Sequence, residues 1–67
     1  MIAGFEMMTR MNYRVMVNNK ENSSIWVPNI DQVVDQGNFL VFMRDEELVA
    51  SVKNNYIRYV ISELFEK

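Results

Sequence analysis

The stretch Asn38-Phe-Leu-Val-Phe-Met-Arg-Asp-Glu-Glu-Leu-Val-Ala-Ser-Val52 decides how the rest of the chain is read. Five apolar residues in a row, Phe39 to Met43, run into the charged cluster Arg44, Asp45, Glu46 and Glu47. The chain then turns apolar again through Leu48, Val49, Ala50 and Val52. Two short apolar runs around a charged tip read as a β-hairpin. The first run has no polar face, so as a strand it needs cover on both sides. A competing reading makes Asp45 an N-cap and runs one helix from Glu46 to Phe65, with Leu48, Val49, Val52, Tyr56, Tyr59 and Val60 roughly on one face. Against it stand the dense β-branched residues and Asn54 with Asn55 in mid-helix, where asparagine competes for backbone hydrogen bonds. The strand reading is favoured, with Asn54 and Asn55 as a turn.

Working outward on the N-terminal side, residues 29–37 read either as a helical turn capped by Asn29 and closed by Gly37, or as an extended segment. The extended form is preferred. Ile25, Trp26 and Val27 form a short strand that Pro28 ends or confines to a sheet edge, because proline offers no backbone donor. Residues 18–24 are uniformly polar and rich in turn formers, hence an exposed loop. Residues 9–17 alternate: Thr9, Met11, Tyr13, Val15 and Val17 share one face, while Arg10, Asn12, Arg14 and Met16 share the other. That period marks a half-buried strand. Residues 1–8 read as a flexible N-terminal arm. On the C-terminal side, Tyr56 to Ile61 is a further strand or the start of a helix, and Ser62 to Lys67 places Leu64 and Phe65 at helical spacing with Val60 and Ile61.

These segments predict a single small domain over residues 1–67, mainly β. Its form is a small antiparallel meander or partly open barrel of four to five strands, with a short C-terminal helix as the variant ending. A chain this short buries about 60% of its unfolded surface, so its core supplies only roughly 3–5 kcal/mol. With no cysteine or histidine, neither disulfides nor the usual zinc sites reinforce it. A central strand that is apolar on both faces then asks for a second copy, and a homodimer is expected, with a closed monomeric barrel as the alternative.

Composition narrows the function classes. The chain is 49% hydrophobic with a net charge of −2, which fits a folded protein and disfavours a general nucleic-acid binder. No apolar run approaches the roughly 20 residues of a membrane span, and the opening lacks a basic start before an apolar core. The expectation is a cytoplasmic protein with no membrane partner.

Catalytic chemistry has little to stand on. Ser23 and Ser24 lie in a polar loop, and Ser51 and Ser62 decorate regular segments, with no histidine or cysteine to complete a nucleophilic pair. Asp31, Asp35 and the run Asp45, Glu46, Glu47 lack calcium-loop spacing, and no glycine-rich phosphate loop occurs. No enzyme, cofactor or metal is expected.

What remains is binding. Trp26, flanked by Ile25 and Val27, is the best candidate anchor for a protein partner, since tryptophan, tyrosine and arginine dominate interface hot spots. Asp45, Glu46 and Glu47 join it as tentative contact residues. With Asp31 and Asp35 they could also occupy a partner's nucleic-acid site. The expected function is a non-enzymatic interaction module that self-associates and binds or inhibits a protein, in composition like accessory proteins of phages and mobile elements. The alternative is a small-barrel nucleic-acid binder that uses Arg10, Arg14 and Arg58 with Tyr13, Tyr56, Tyr59 and Trp26 to line a sheet face that stacks bases.

Overall fold

The computed structural model describes residues 9–19, 21 and 23–66, of which 70% are strand and none α-helix, so the chain is mainly β. In chain order the strands are β1 (Met11–Val17), β2 (Ser24–Ile30), β3 (Gln32–Asp35), β4 (Phe39–Arg44), β5 (Glu47–Lys53) and β6 (Ile57–Leu64). A single 3-10 turn, Asn54–Tyr56, joins β5 to β6. All pairings are antiparallel. They build two three-stranded sheets, β2-β1-β6 and β3-β4-β5, which do not close into a barrel.

Two corners carry the chain between the sheets. At the first, β2 passes into β3 across Asp31. Asn29 takes a positive φ of 60° there, and its N–H donates to Asn12 Oδ1 at 2.9 Å. Asparagine tolerates that backbone because its short polar side chain bonds locally. At the second corner the 3-10 turn is pinned from both sides. Asn54 N–H donates to the Asn38 carbonyl at 2.8 Å, and Asn18 N–H donates to the Tyr56 carbonyl at 2.6 Å.

The facing surfaces of the sheets share one core. Val15, Val27, Ile30, Phe42 and Val52 are buried at its centre, with Tyr13, Val17, Val33, Leu40, Ala50 and Ile57 packed around them. The alternation read in β1 is the one observed, with Tyr13, Val15 and Val17 turned inward. The Tyr13 ring meets Phe42 at 5.3 Å in a tilted arrangement. The hairpin expected over residues 38–52 is β4–β5, and β4 is the middle strand of its sheet. Both sides of its midpoint are withdrawn from water: Phe42 faces the shared core, and Val41, in register with Val34 on the opposite face, is also buried. The charged loop proves to be a two-residue turn, Asp45 and Glu46, both at positive φ (52° and 67°). Such backbone twist matches that of the flanking strands.

Several expectations need correction. The strands number six among the described residues, not four to five. Residues 32–35 form β3, as the preferred extended reading has it, and the favoured hairpin forms in place of the competing helix from Glu46 to Phe65. The variant C-terminal helix is also absent: the chain from Ile57 to Leu64 is strand, paired along its length with β1. Local helical spacing of Val60, Ile61 and Leu64 is overridden by that non-local ladder. Nor does Pro28 end its strand, for β2 continues to Ile30. Val17 N–H donates to the Ser23 carbonyl, so by alternation Ile25 and Val27 bond to β1, and Pro28, the next residue before the register shifts, faces the open edge. Its missing N–H therefore costs no ladder bond. The proposed arm, residues 1–8, lies outside the described residues.

Candidate binding face

The first sheet turns one face to the core and leaves the other open. Arg14 lies between the inward residues Tyr13 and Val15, so it projects outward. The register sets Trp26, Arg14 and Ile61 in one row across β2, β1 and β6, and Ser24, Met16 and Tyr59 in the next. Trp26, Tyr59 and Ile61 are 46%, 49% and 48% exposed, a cluster of large apolar side chains on one surface. The Arg14 guanidinium sits 4.9 Å from the centre of the Trp26 ring, and its Nη1 donates to Ser24 Oγ at 3.3 Å. Arg58 lies 5.7 Å from the Tyr59 ring. Each such cation–π contact is worth about 0.5–1 kcal/mol at an exposed site, enough to orient the arginine without hiding it.

The structure divides the residues singled out in the sequence. Trp26 lies on the open face, but its neighbours point the other way. Val27 is buried in the core, and Ile25 borders a separate apolar cleft of about 320 Å³ with Val17, Val52 and Tyr56. Strand alternation alone makes that separation. Asp45, Glu46 and Glu47 belong to the hairpin tip of the second sheet, and Asp45 is tied down there. Arg10 Nη2 bonds Asp45 Oδ1 at 2.7 Å and stands 3.7 Å from Asp31 Oδ2, while Asp45 N–H donates to Asp31 Oδ2 at 2.8 Å. The set Arg10, Arg14, Arg58, Tyr13 and Tyr56 is not assembled either. Arg10 serves the tip, Tyr13 packs on Phe42, and Tyr56 sits in the 3-10 turn beside Lys53. Only Arg14 and Arg58 remain on the open face. Tyr59 and Ile61 complete that face, and of the two Ile61 is the one that sequence reasoning missed. Their signal was the run Tyr56 to Ile61, which as a strand is apolar on both sides.

Two hydrogen bonds displace the titration of Asp35. The Gly37 N–H at 2.9 Å and then the Asn54 side-chain amide at 3.1 Å hold its carboxyl below the ordinary aspartate value, against a smaller opposing effect of desolvation. These bonds brace the turn after β3 against the 3-10 turn, a structural task. Among the described residues no three acids converge on a point where a metal ion could be held, and no helix is long and apolar enough to cross a membrane. Comparison of the chain with protein-family models, with curated proteins and with solved structures finds no match.

Proposed function

We propose that the chain is a non-enzymatic protein-interaction module of the cytoplasm, and that it grips its partner with the open face of the first sheet. One observation carries the reading: Trp26, Tyr59 and Ile61 lie exposed together beside an arginine already stacked on the tryptophan. Aromatic residues and arginine held in fixed positions lose little entropy on binding and supply most of the energy at protein interfaces. The partner that suits this face carries an apolar segment with an adjacent carboxylate to meet Arg14. The module also self-associates, and its acidic hairpin tip, directed at a basic site, would make the bound form inhibitory.

The test compares immobilised wild type with Trp26→Ala for a partner identified by capture from the native cell and then purified. Loss of a hot-spot tryptophan weakens binding by about thirtyfold or more, equivalent to roughly 2 kcal/mol. The melting temperature should stay close to wild type, because Trp26 lies outside the core. Equal affinity of the two proteins would reject the face as the binding site.

A second reading rests on the same face. Two arginine–aromatic pairs on one sheet surface, Arg14 with Trp26 and Arg58 with Tyr59, could stack unpaired bases of a single strand. The net charge of −2 and the diversion of Arg10 to two carboxylates weigh against it. Retention on single-stranded DNA that falls steeply with salt would favour nucleic acid. No retention at low salt would remove it.

A further inference from the structure

Two three-stranded sheets have four edges, and three of them are blunted. The β2 edge carries Pro28 at an outward-facing position and a register shift beside it. Strand β3 is only four residues long. The β5 edge begins with Glu47, ends with Lys53 and contains a bulge opposite Met43. Proline, brevity, charge and bulges are the usual means of keeping sheet edges from pairing with other chains. Strand β6 has the fewest of them. It is eight residues long, holds neither proline nor lysine, and confines its one irregularity to the end at Arg58. Large apolar side chains stand exposed along it on both faces: Tyr59 and Ile61 on the open side, Val60 (37%) and Leu64 (56%) on the other.

The hydrogen-bonding groups on this edge follow from the ladder. Phe65 N–H donates to the Arg10 carbonyl, so the bonded pairs with β1 alternate through Asn12 with Glu63, Arg14 with Ile61, and Met16 with Tyr59. Val60, Ser62 and Leu64 therefore direct their N–H and C=O groups away from β1, where no described strand lies. Charge then selects the occupant. The strand runs from Arg58 at one end to Glu63 near the other, so a second copy laid antiparallel brings opposite charges towards each other at both ends.

We infer that β6 pairs antiparallel with β6 of a second copy about a two-fold axis, joining the two first sheets into one six-stranded sheet. This deepens the self-association proposed above and does not depend on what Trp26 binds. A two-fold axis perpendicular to the sheet keeps like faces together, so outward residues oppose outward residues. Of the equally long registers that stay clear of the bulge, the one that brings Arg58 nearer to Glu63 of the partner subunit sets Ile61 against Ile61 of the partner subunit as a non-hydrogen-bonded pair. Tyr59 then lies opposite Glu63 of the partner subunit, and Val60 exchanges hydrogen bonds with Ser62 of the partner subunit. The two Trp26 faces come to lie on the same side of the extended sheet.

The experiment measures mass by sedimentation over a wide concentration range for wild type and Ser62→Pro, and oxidative cross-linking of Ile61→Cys and Met16→Cys in a chain that has no cysteine of its own. Wild type should rise from 8.0 kDa towards twice that mass. Ser62→Pro, which removes an outward donor and spares the β1 ladder, should stay monomeric with a β-type circular dichroism spectrum. Ile61→Cys should form a disulfide dimer, since facing residues of a non-bonded pair stand about 4.5 Å apart at Cα. Met16→Cys, on the strand behind and level with Tyr59, would be about three strand spacings across and about four residues along from its counterpart, roughly 20 Å in all, and should not link. A wild-type mass of 8.0 kDa at every concentration would defeat self-association altogether. A wild-type dimer that Ser62→Pro leaves intact, or that links through Met16→Cys as readily as through Ile61→Cys, would overturn the β6 edge alone. If Ser62→Pro fails to fold, the cysteine pair decides.

Discussion

Phe42 and Asp35 show how single residues divide the work. Phe42 is fully buried where the two sheets meet, against Tyr13. Phe42→Ala should therefore destabilise by about 3–5 kcal/mol, close to the whole stability of so small a core, and leave the chain largely unfolded by circular dichroism. A stably folded Phe42→Ala protein would mean that the core is not organised around this ring. Asp35 acts through its charge. Its carboxyl titrates below the ordinary value when folded, so the unfolded chain binds more protons in between. Its contribution is present above about pH 4 and fades as pH falls through the folded value. Urea titrations from pH 2 to 6 should show wild type losing stability on acidification more steeply than Asp35→Asn, which keeps an acceptor but cannot ionise. Parallel curves would contradict this. The sequence singles out Trp26 as a candidate anchor because little else competes for the part. It did not show that Arg14 stacks on it, because that contact depends on the β1–β2 register and not on spacing along the chain.

Among the elements, β1 was legible because polar and apolar residues alternate through it, and the β4–β5 hairpin because a charged tip divides two apolar runs. The ends of β2 and β6 were not. Pro28 reads as a stop unless the direction of its missing N–H is known, and Val60, Ile61 and Leu64 keep helical spacing whatever they pair with. Both outcomes are decided by strand β1, which lies between them in the sheet and tens of residues away from β6 in sequence. The hairpin turn offers its own test. Glu46 holds a φ of 67°, a conformation that costs a side-chain-bearing residue roughly 1 kcal/mol and glycine little. Glu46→Gly should raise the denaturation midpoint by an amount equivalent to about 1 kcal/mol, less the entropy glycine adds to the unfolded chain. A fall in the midpoint would mean that the Glu46 side chain contributes more than its backbone costs.

At the scale of the whole molecule, the described chain is elongated, with extents of 50 × 25 × 16 Å, and its two sheets meet over one core of five buried residues, Val15, Val27, Ile30, Phe42 and Val52. That geometry explains why so many large apolar side chains of β6 remain exposed, and why one sheet can bury β4 while offering little cover to its neighbour. The midpoint of the apolar ribbon, Val41 and Phe42, is buried within the chain, while Phe39 at its start stays exposed. The demand for a second copy moves to β6, where sequence periodicity alone gave no sign of an open edge.

Residue-resolved amide hydrogen exchange in dilute solution, repeated at high concentration, tests the two claims together. The amides of Val41 and Phe42 should exchange slowest at both concentrations. In dilute solution Ile61 and Glu63 should be protected while Val60, Ser62 and Leu64 exchange freely, and these three should become protected as concentration rises. Fast exchange through β4, or equal protection of all five β6 amides in dilute solution, would contradict the account.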